Sequence, residues 1–198
     1  MTSVNPKKKG MEELHKKGYC FIPNVVDVSD EVFHIVEQQA MKSFTIFNEQ
    51  DGTCGDAKRY QCRLMARKLP FGFIEGIYAA LKPFVGEERA ISSISILRSD
   101  EGCQQQPFHR DYDPNQCKQL SDEQIPLAAL IALERGTSLL CKVAGREKRL
   151  SIPKGSALVF RGDLIHAGSA YDDENHRLHV YIDSNVYCRP VPEMTYFA

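Results

Sequence analysis

Three side chains in the second half of the sequence, His109, Asp111 and His166, have the types and the spacing of a metal site. His109 and Asp111 are two positions apart at the mouth of a predicted strand, and residues i and i+2 of a strand point to the same face. His166 follows a predicted strand and a Gly162-Asp163 turn, and it is the natural third ligand. Two imidazoles and one carboxylate on one side of a metal ion leave the opposite positions open, as in non-haem Fe(II) sites.

An arginine follows His166 at the start of a strand that alternates strictly. In this segment, 177–183, Arg177, His179 and Tyr181 share one face, and three aliphatic side chains share the other. An arginine on a buried face needs an anion, and a guanidinium fits a carboxylate with two parallel hydrogen bonds. The alternative is a surface ion pair of Arg177 with an acid of the segment 172–174. His176 and His179 are interpreted as structural residues.

In the order of these residues the chain resembles the 2-oxoglutarate/Fe(II)-dependent oxygenase superfamily. Its pattern is His-x-Asp/Glu, then a distal His, then an Arg or Lys shortly after it, and His109, Asp111, His166 and Arg177 match that order. The resemblance implies that the first three bind a catalytic Fe(II) and that Arg177 pairs with the distal carboxylate of 2-oxoglutarate. It also implies O2 as co-substrate and hydroxylation, or oxidative demethylation, of a substrate with release of succinate and CO2.

The segment 18–26 followed by a predicted helix, and the segment 108–111, resemble more narrowly the phytanoyl-CoA dioxygenase-like branch. The chain departs from that branch in its compact spacing between Asp111 and His166 and in lacking a Pro-Gly-Ser-His segment. An acyl-CoA substrate is therefore not supported.

Three residues beside the predicted metal site are candidate substrate contacts: Gln106, Tyr112 and Asp113. The resemblance suggests them, because superfamily members contact substrate at the strand edge beside the iron. The alternative for Asp113 is ordinary turn chemistry with Pro114. The substrate itself, whether a small molecule, a protein side chain or a nucleobase, is not specified by the sequence.

The hydrophobic period changes near residue 90, from mainly helical before it to stranded after it. Eight short strands are predicted after that point, at 91–97, 103–111, 127–133, 138–143, 149–152, 157–160, 165–169 and 177–183. This pattern predicts a mainly β protein with a helical buttress, that is, a double-stranded β-helix (jelly roll, cupin-like). We expect one domain over 1–198, with 1–90 as helical support and lid and 91–185 as the β-helix core.

Before residue 90 the sequence predicts a basic tail, a short strand at 18–23 and two amphipathic helices. Ser29 should cap the first helix, which ends near Ser43, and the second begins at Phe73 and stops before Pro83. A loop is predicted at 48–57.

Arg59, Arg63 and Arg67 recur at every fourth residue, with no acid between positions 58 and 68. On a helix they would form one cationic stripe that could bind a phosphate-bearing substrate. The alternatives are a solvated helix face or a strand beside the site, and no role is assigned to them.

The overall composition excludes several classes of protein. A formal net charge of −1 gives no strong signal for nucleic acid or membrane surfaces. Seven scattered cysteines without a C-x-x-C pair argue against a disulfide framework and favour an intracellular, cytoplasmic setting, with the nucleus an alternative. Two other hypotheses stay open: a non-catalytic cupin-like binding or scaffold protein, and a metal-dependent cupin enzyme that does not use 2-oxoglutarate.

Overall fold

The protein is described from a computed structural model, in which residues 6–41, 44–45, 58–187 and 196–197 are described. The helices are α1 (Pro6–Lys17), α2 (Asp30–Ala40), α3 (Phe73–Val85) and α4 (Pro114–Cys117). The strands are β1 (Tyr19–Ile22), β2 (Phe44–Thr45), β3 (Arg59–Arg63), β4 (Arg89–Ser99), β5 (His109–Arg110), β6 (Leu127–Ala132), β7 (Ser138–Val143), β8 (Arg146–Ser151), β9 (Ala157–Arg161), β10 (His166–Gly168), β11 (Asn175–Ser184) and β12 (Tyr196–Phe197).

The strands form two antiparallel sheets. The large sheet has the order β1-β9-β6-β11-β4-β3-β2, and the small sheet has the order β12-β5-β10-β7-β8. Side chains of both sheets meet in one apolar cluster, in which Leu130 and Phe160 of the large sheet pack with Cys141 and Leu150 of the small one. The predicted double-stranded β-helix is therefore confirmed.

The central strand β6 shows why helices are needed. All six of its residues are buried. Leu130 and its neighbours on one face enter the cluster between the sheets, whereas Leu127 and Ile131 on the other face enter a second cluster. That second cluster contains Val36 of α2 and Ile77 of α3, so these helices cover the outer face of the large sheet as the predicted buttress.

The first buttress helix begins as predicted, because the Ser29 hydroxyl accepts a hydrogen bond from the Val32 N–H at 3.3 Å. Two other predictions for the region before residue 90 were wrong. The expected basic tail is helix α1, whose Leu14 is 1% exposed and packs in the outer cluster. Helix α3 continues through Pro83 to Val85, since burial of Phe84 in the same cluster outweighs the backbone bond that proline cannot donate.

Most of the predicted strands are present, but the one at 103–111 is reduced to the two residues of β5. Pro107 interrupts the segment because it has no N–H to donate, and Cys103 pairs separately with Tyr171 in an isolated bridge. The region before residue 90 also supplies β1, β2 and β3 to the large sheet, which makes it more than a helical support.

The cationic stripe is not helical. Arg59 and Arg63 lie at the two ends of β3, and Arg67 lies in a short 3-10 turn at Ala66–Lys68. The predicted loop at 48–57 lies outside the described residues. None of the helices in the described part of the chain has the length and apolar character that crossing a bilayer requires.

Candidate metal and anion site

The small sheet brings the three predicted metal ligands together. His109 and His166 are direct partners across β5 and β10, and their ring centroids are 4.5 Å apart. Asp111 follows β5 immediately. The donor atoms of His109, Asp111 and His166 all lie within 4.8 Å of one another, and all three residues are buried. Such a cluster of two imidazoles and one carboxylate has the size and the chemistry to hold a divalent transition metal.

Backbone carbonyls orient both imidazoles. His109 Nδ1 lies 2.9 Å from Pro107 O, and His166 Nδ1 lies 3.0 Å from Leu164 O. With Nδ1–H donating to a carbonyl, the lone pair of each Nε2 is left for a metal. The two Nε2 atoms lie 4.0 Å and 3.6 Å from Asp111 Oδ1, for His109 and His166 respectively. The donor set therefore fits a metal ion held by Nε2, Nε2 and Oδ1.

Burial and neighbouring charges keep His109 and Asp111 in the protonation states that bind a cation. Burial, together with the nearby His166, lowers the pKa of His109 to about 4, so its imidazole is neutral at neutral pH. Burial alone would raise the pKa of Asp111, but His166, His179 and His109 outweigh it and hold that pKa below its ordinary value. Neutral imidazoles and an ionised carboxylate are the forms that bind a metal.

Arg177 lies on the inner face of the large sheet, opposite the small sheet. Its pairing with Ala132 of β6 puts it on the face that contains His179, as the alternation predicted. Arg177 is 3% exposed, and its Nη1 donates to Ser99 Oγ at 3.0 Å. Burial lowers the pKa of its guanidinium.

No carboxylate of the described residues lies within ion-pair distance of Arg177. The alternative of a surface ion pair does not fit, because Arg177 is buried and Glu174 lies beside His176 instead, at 3.8 Å. The ring of Tyr171 lies 5.2 Å from the guanidinium carbon of Arg177. Because an unpaired buried charge is costly, a buried guanidinium of this kind is a candidate binding site for an anion.

Arg59 is a second buried guanidinium that sequence reasoning did not assign. It is 0% exposed, and its Nη2 donates to Gln104 O and Ser169 O, each at 2.6 Å. Its Nη1 donates to Ser99 Oγ, the oxygen that Arg177 also uses. Strand alternation places Arg59, Gln61 and Arg63 on one face, so the sequence carries no signal that separates the buried Arg59 from the exposed Arg63.

His179 is the other residue that sequence reasoning missed. Its Nε2 lies 3.5 Å from Asp111 Oδ2, and the residue is 6% exposed. The alternation of β11 had already placed it on the face of Arg177. The alternation could not predict the contact of His179 with Asp111, because Asp111 directly follows a strand of the opposite sheet.

The three candidate substrate contacts occupy different surroundings. Gln106 is half-buried, and its Oε1 accepts a hydrogen bond from Gly168 N at 2.8 Å. Tyr112 is 0% exposed and donates its hydroxyl to Asp183 Oδ1 at 2.6 Å. Asp113 caps α4 by accepting from Asn115 N, which is the turn chemistry held as its alternative.

Comparison with known proteins gives structural relatives only. No family model matches the sequence, and no curated protein matches it either. A prolyl hydroxylase from Trichoplax adhaerens, solved with a hypoxia inducible factor peptide fragment, aligns with a TM-score of 0.69 and 12% identity over 91% of this chain and 90% of its own. A Pseudomonas putida prolyl-4-hydroxylase aligns with a TM-score of 0.61 and 14% identity, over 90% of this chain and 99% of its own.

A third structure, HygX from Streptomyces hygroscopicus with nickel and 2-oxoglutarate bound, aligns with a TM-score of 0.66 and 10% identity, over 93% of this chain and 89% of its own. At identities this low, the similarity is one of fold. The chain has the double-stranded β-helix fold of the 2-oxoglutarate-Fe(II) oxygenases. The narrower resemblance to the phytanoyl-CoA dioxygenase-like branch stays a prediction.

Proposed function

We propose that the protein is a non-haem Fe(II)- and 2-oxoglutarate-dependent dioxygenase that hydroxylates, or oxidatively demethylates, a substrate not yet identified. One observation carries the proposal: a buried His109, Asp111 and His166 cluster faces a buried Arg177 that has no carboxylate partner in the described chain. The metal cluster alone would suit several cupin-type chemistries. The added anion site favours a carboxylate-bearing co-substrate.

In the proposed site His109 Nε2, Asp111 Oδ1 and His166 Nε2 would hold the iron. The bound iron and 2-oxoglutarate would supply the oxidation, in which one atom of O2 enters succinate as CO2 leaves and the other enters a C–H bond of the substrate. Among the described residues no further His, Cys, Asp or Glu joins this cluster, so a bound metal would keep positions for the co-substrate and O2.

The protein's own residues perform the binding and the shielding. Arg177 pairs with the distal carboxylate of 2-oxoglutarate through the guanidinium donors that Ser99 does not use. A lysine would be a poor substitute for Arg177, because an ammonium lacks the planar fork that binds a carboxylate bidentately. The apolar cluster around Leu130 and Phe160 keeps water from this interior and so strengthens every charge interaction within it.

The direct test needs no substrate. Metal-free protein is titrated anaerobically with Fe(II) and then with 2-oxoglutarate, while the weak visible charge-transfer band of the iron chelate is followed. We expect a saturable band for the wild type. Arg177→Leu should weaken 2-oxoglutarate binding by at least about thirtyfold, because truncating one partner of a buried charge pair costs about 2–5 kcal/mol. His109→Ala should lose iron binding.

The matched control is Arg63→Leu, which removes an exposed arginine of β3 and should leave the band unchanged. Iron binding that survives His109→Ala would overturn the assigned metal site. Bound iron without any band on addition of 2-oxoglutarate would favour a cupin enzyme of other chemistry. A normal band without succinate production on any substrate would favour the binding or scaffold alternative.

A further inference from the structure

The two oxygens of the Asp111 carboxylate face different partners. Oδ1 is the oxygen nearest to the Nε2 atoms of His109 and His166, at 4.0 Å and 3.6 Å. Oδ2 is fully buried, accepts no hydrogen bond of standard geometry from the described residues, and lies 3.5 Å from His179 Nε2. A buried carboxylate oxygen needs a donor, and His179 is in position to supply one.

Aromatic neighbours fix the His179 ring in this position. The ring stacks with that of Phe160 at a centroid distance of 6.1 Å and an interplanar angle of 20°. Tyr181 meets it edge-on, with centroids 4.2 Å apart. His179 comes from β11 of the large sheet, whereas Asp111 follows β5 of the small sheet, so the contact joins the two sheets at the metal site.

We propose that His179 is a positioning residue that donates its Nε2–H to Asp111 Oδ2 and so reserves Oδ1 for the metal; this inference rests on the proposed function. A carboxylate held at one oxygen binds the metal through the other alone, which saves one coordination position. Without the donor, Asp111 is free to rotate or to bind through both oxygens, and it then competes with the co-substrate. Hydrogen bonds to metal ligands set ligand orientation and affinity in this way.

Three substitutions separate this role from simple packing. His179→Phe keeps the ring shape and its contacts with Phe160 and Tyr181 but removes the donor. His179→Gln keeps an N–H donor at the distance of Nε2, whereas His179→Asn places its N–H nearer the backbone, at the position of Nδ1. A packing role predicts that Phe is the mildest change, and the proposed role predicts that Gln is the mildest.

Two quantities are measured for each variant. The first is the affinity for Mn(II), determined from the electron paramagnetic resonance signal of the free ion. The second is the position of the 2-oxoglutarate chelate band in the anaerobic Fe(II) protein. His179→Phe and His179→Asn should weaken metal binding by about 10–100-fold and shift the band, since mutation of an outer partner of a metal ligand typically has this effect. His179→Gln should recover most of the affinity. His34→Gln, a change at an exposed histidine of α2, is the control and should match the wild type.

Wild-type affinity and an unshifted band in His179→Phe would overturn the inference, as would a Gln variant that is no better than the Asn variant. The Gln and Asn pair keeps the test decisive even if the Phe variant fails to fold. A wild-type protein that binds no metal would overturn the proposed function itself. If the wild type gives a normal chelate band and the His179 variants show the same Mn(II) affinity and band as the wild type, this inference alone would be overturned.

Discussion

At the scale of single residues, the packing next to the proposed metal site depends on a glycine. Gly162 lies in the turn between β9 and β10, and its N–H donates to Pro126 O at 2.7 Å. A Cβ at this position would collide with the ring of Tyr112 and would lie 3.0 Å from Pro126 O. Tyr112 is the residue directly after Asp111, so we expect a displaced Tyr112 ring to shift this proposed metal ligand.

Gly162→Ala should therefore lower both stability and metal affinity. Overpacking of a tight interior costs about 1–3 kcal/mol, and urea unfolding measures it. The matched control is Tyr112→Phe, which keeps the ring but loses the hydrogen bond to Asp183, worth about 1.5–3 kcal/mol for a charged acceptor. Both variants should be less stable, but only Gly162→Ala should bind Mn(II) more weakly. Equal Mn(II) affinity in both would show that the ring contact does not position Asp111.

Residue types and spacing were enough to select the four residues of the proposed site. His109 and Asp111 are close in sequence, and a strand geometry brings them to one face. His179 and Arg59 were not assigned because their partners are distant in sequence. The partner of His179 is Asp111. The partners of Arg59 are Ser99, Gln104 and Ser169. A local pattern gives the face of a side chain but not the group that it meets across the interior.

At the scale of elements, β3 separates two arginines that the sequence presents as equals. Arg59 at its start is fully buried and binds the carbonyl oxygens of Gln104 and Ser169, which belong to segments next to β5 and β10. Arg63 at its end is exposed. Arg59 therefore links the large sheet to the segments beside β5 and β10, which position the proposed metal ligands.

We predict that Arg59→Met destabilises the protein by at least about 1–3 kcal/mol, because it leaves the buried Ser169 carbonyl without its Arg59 donor and also removes the part-buried bond to the Gln104 carbonyl. Arg63→Met on the same strand should change the free energy of unfolding by no more than about 0.5 kcal/mol, as is usual for exposed positions. Urea unfolding of the two variants provides the comparison. Similar losses in both would mean that β3 is held by its backbone pairing rather than by the Arg59 side chain.

Elements with a strict internal period were the ones that the sequence predicted well. The strand at 138–143 has the predicted bounds, and β11 has the predicted faces. The short strand β5 and the helical nature of α1 were not predicted, because neither has a strong period of its own. Strand β5 exists through its pairing with β10, and α1 exists through the burial of Leu14.

At the scale of the whole molecule, buried thiols make stability depend on alkaline pH. Burial, aided by Glu13, raises the pKa of Cys20 to about 12, and burial, aided by Asp163, raises that of Cys117 to about 12. In the unfolded chain these thiols ionise near pH 9, whereas in the folded chain they stay protonated. The unfolded state therefore loses protons first, and the free energy of unfolding falls as pH rises from about 9 toward about 12.

Each such thiol should lower the free energy of unfolding by about 1.4 kcal/mol per pH unit in that window. The measurement is urea unfolding at a series of pH values from about 8 to about 10.5, for the wild type and for a Cys20→Ala, Cys117→Ala double variant. The double variant should show the shallower dependence on pH. An identical dependence in the two proteins would mean that other groups cause the loss of stability.

The pairing of β1 with β9 has a consequence for how the protein is made. Tyr19 of β1 pairs with Phe160 of β9, which follows it by about 140 residues in the chain. At a synthesis rate of about 5–20 residues per second, β9 therefore leaves the ribosome roughly 7–28 seconds after β1. During that interval β1 lacks its native strand partner, and its apolar residues Tyr19–Ile22 are open to non-native strand partners. Helix α1, which packs against β1 and is adjacent in the chain, can form early and shield that strand until β9 arrives.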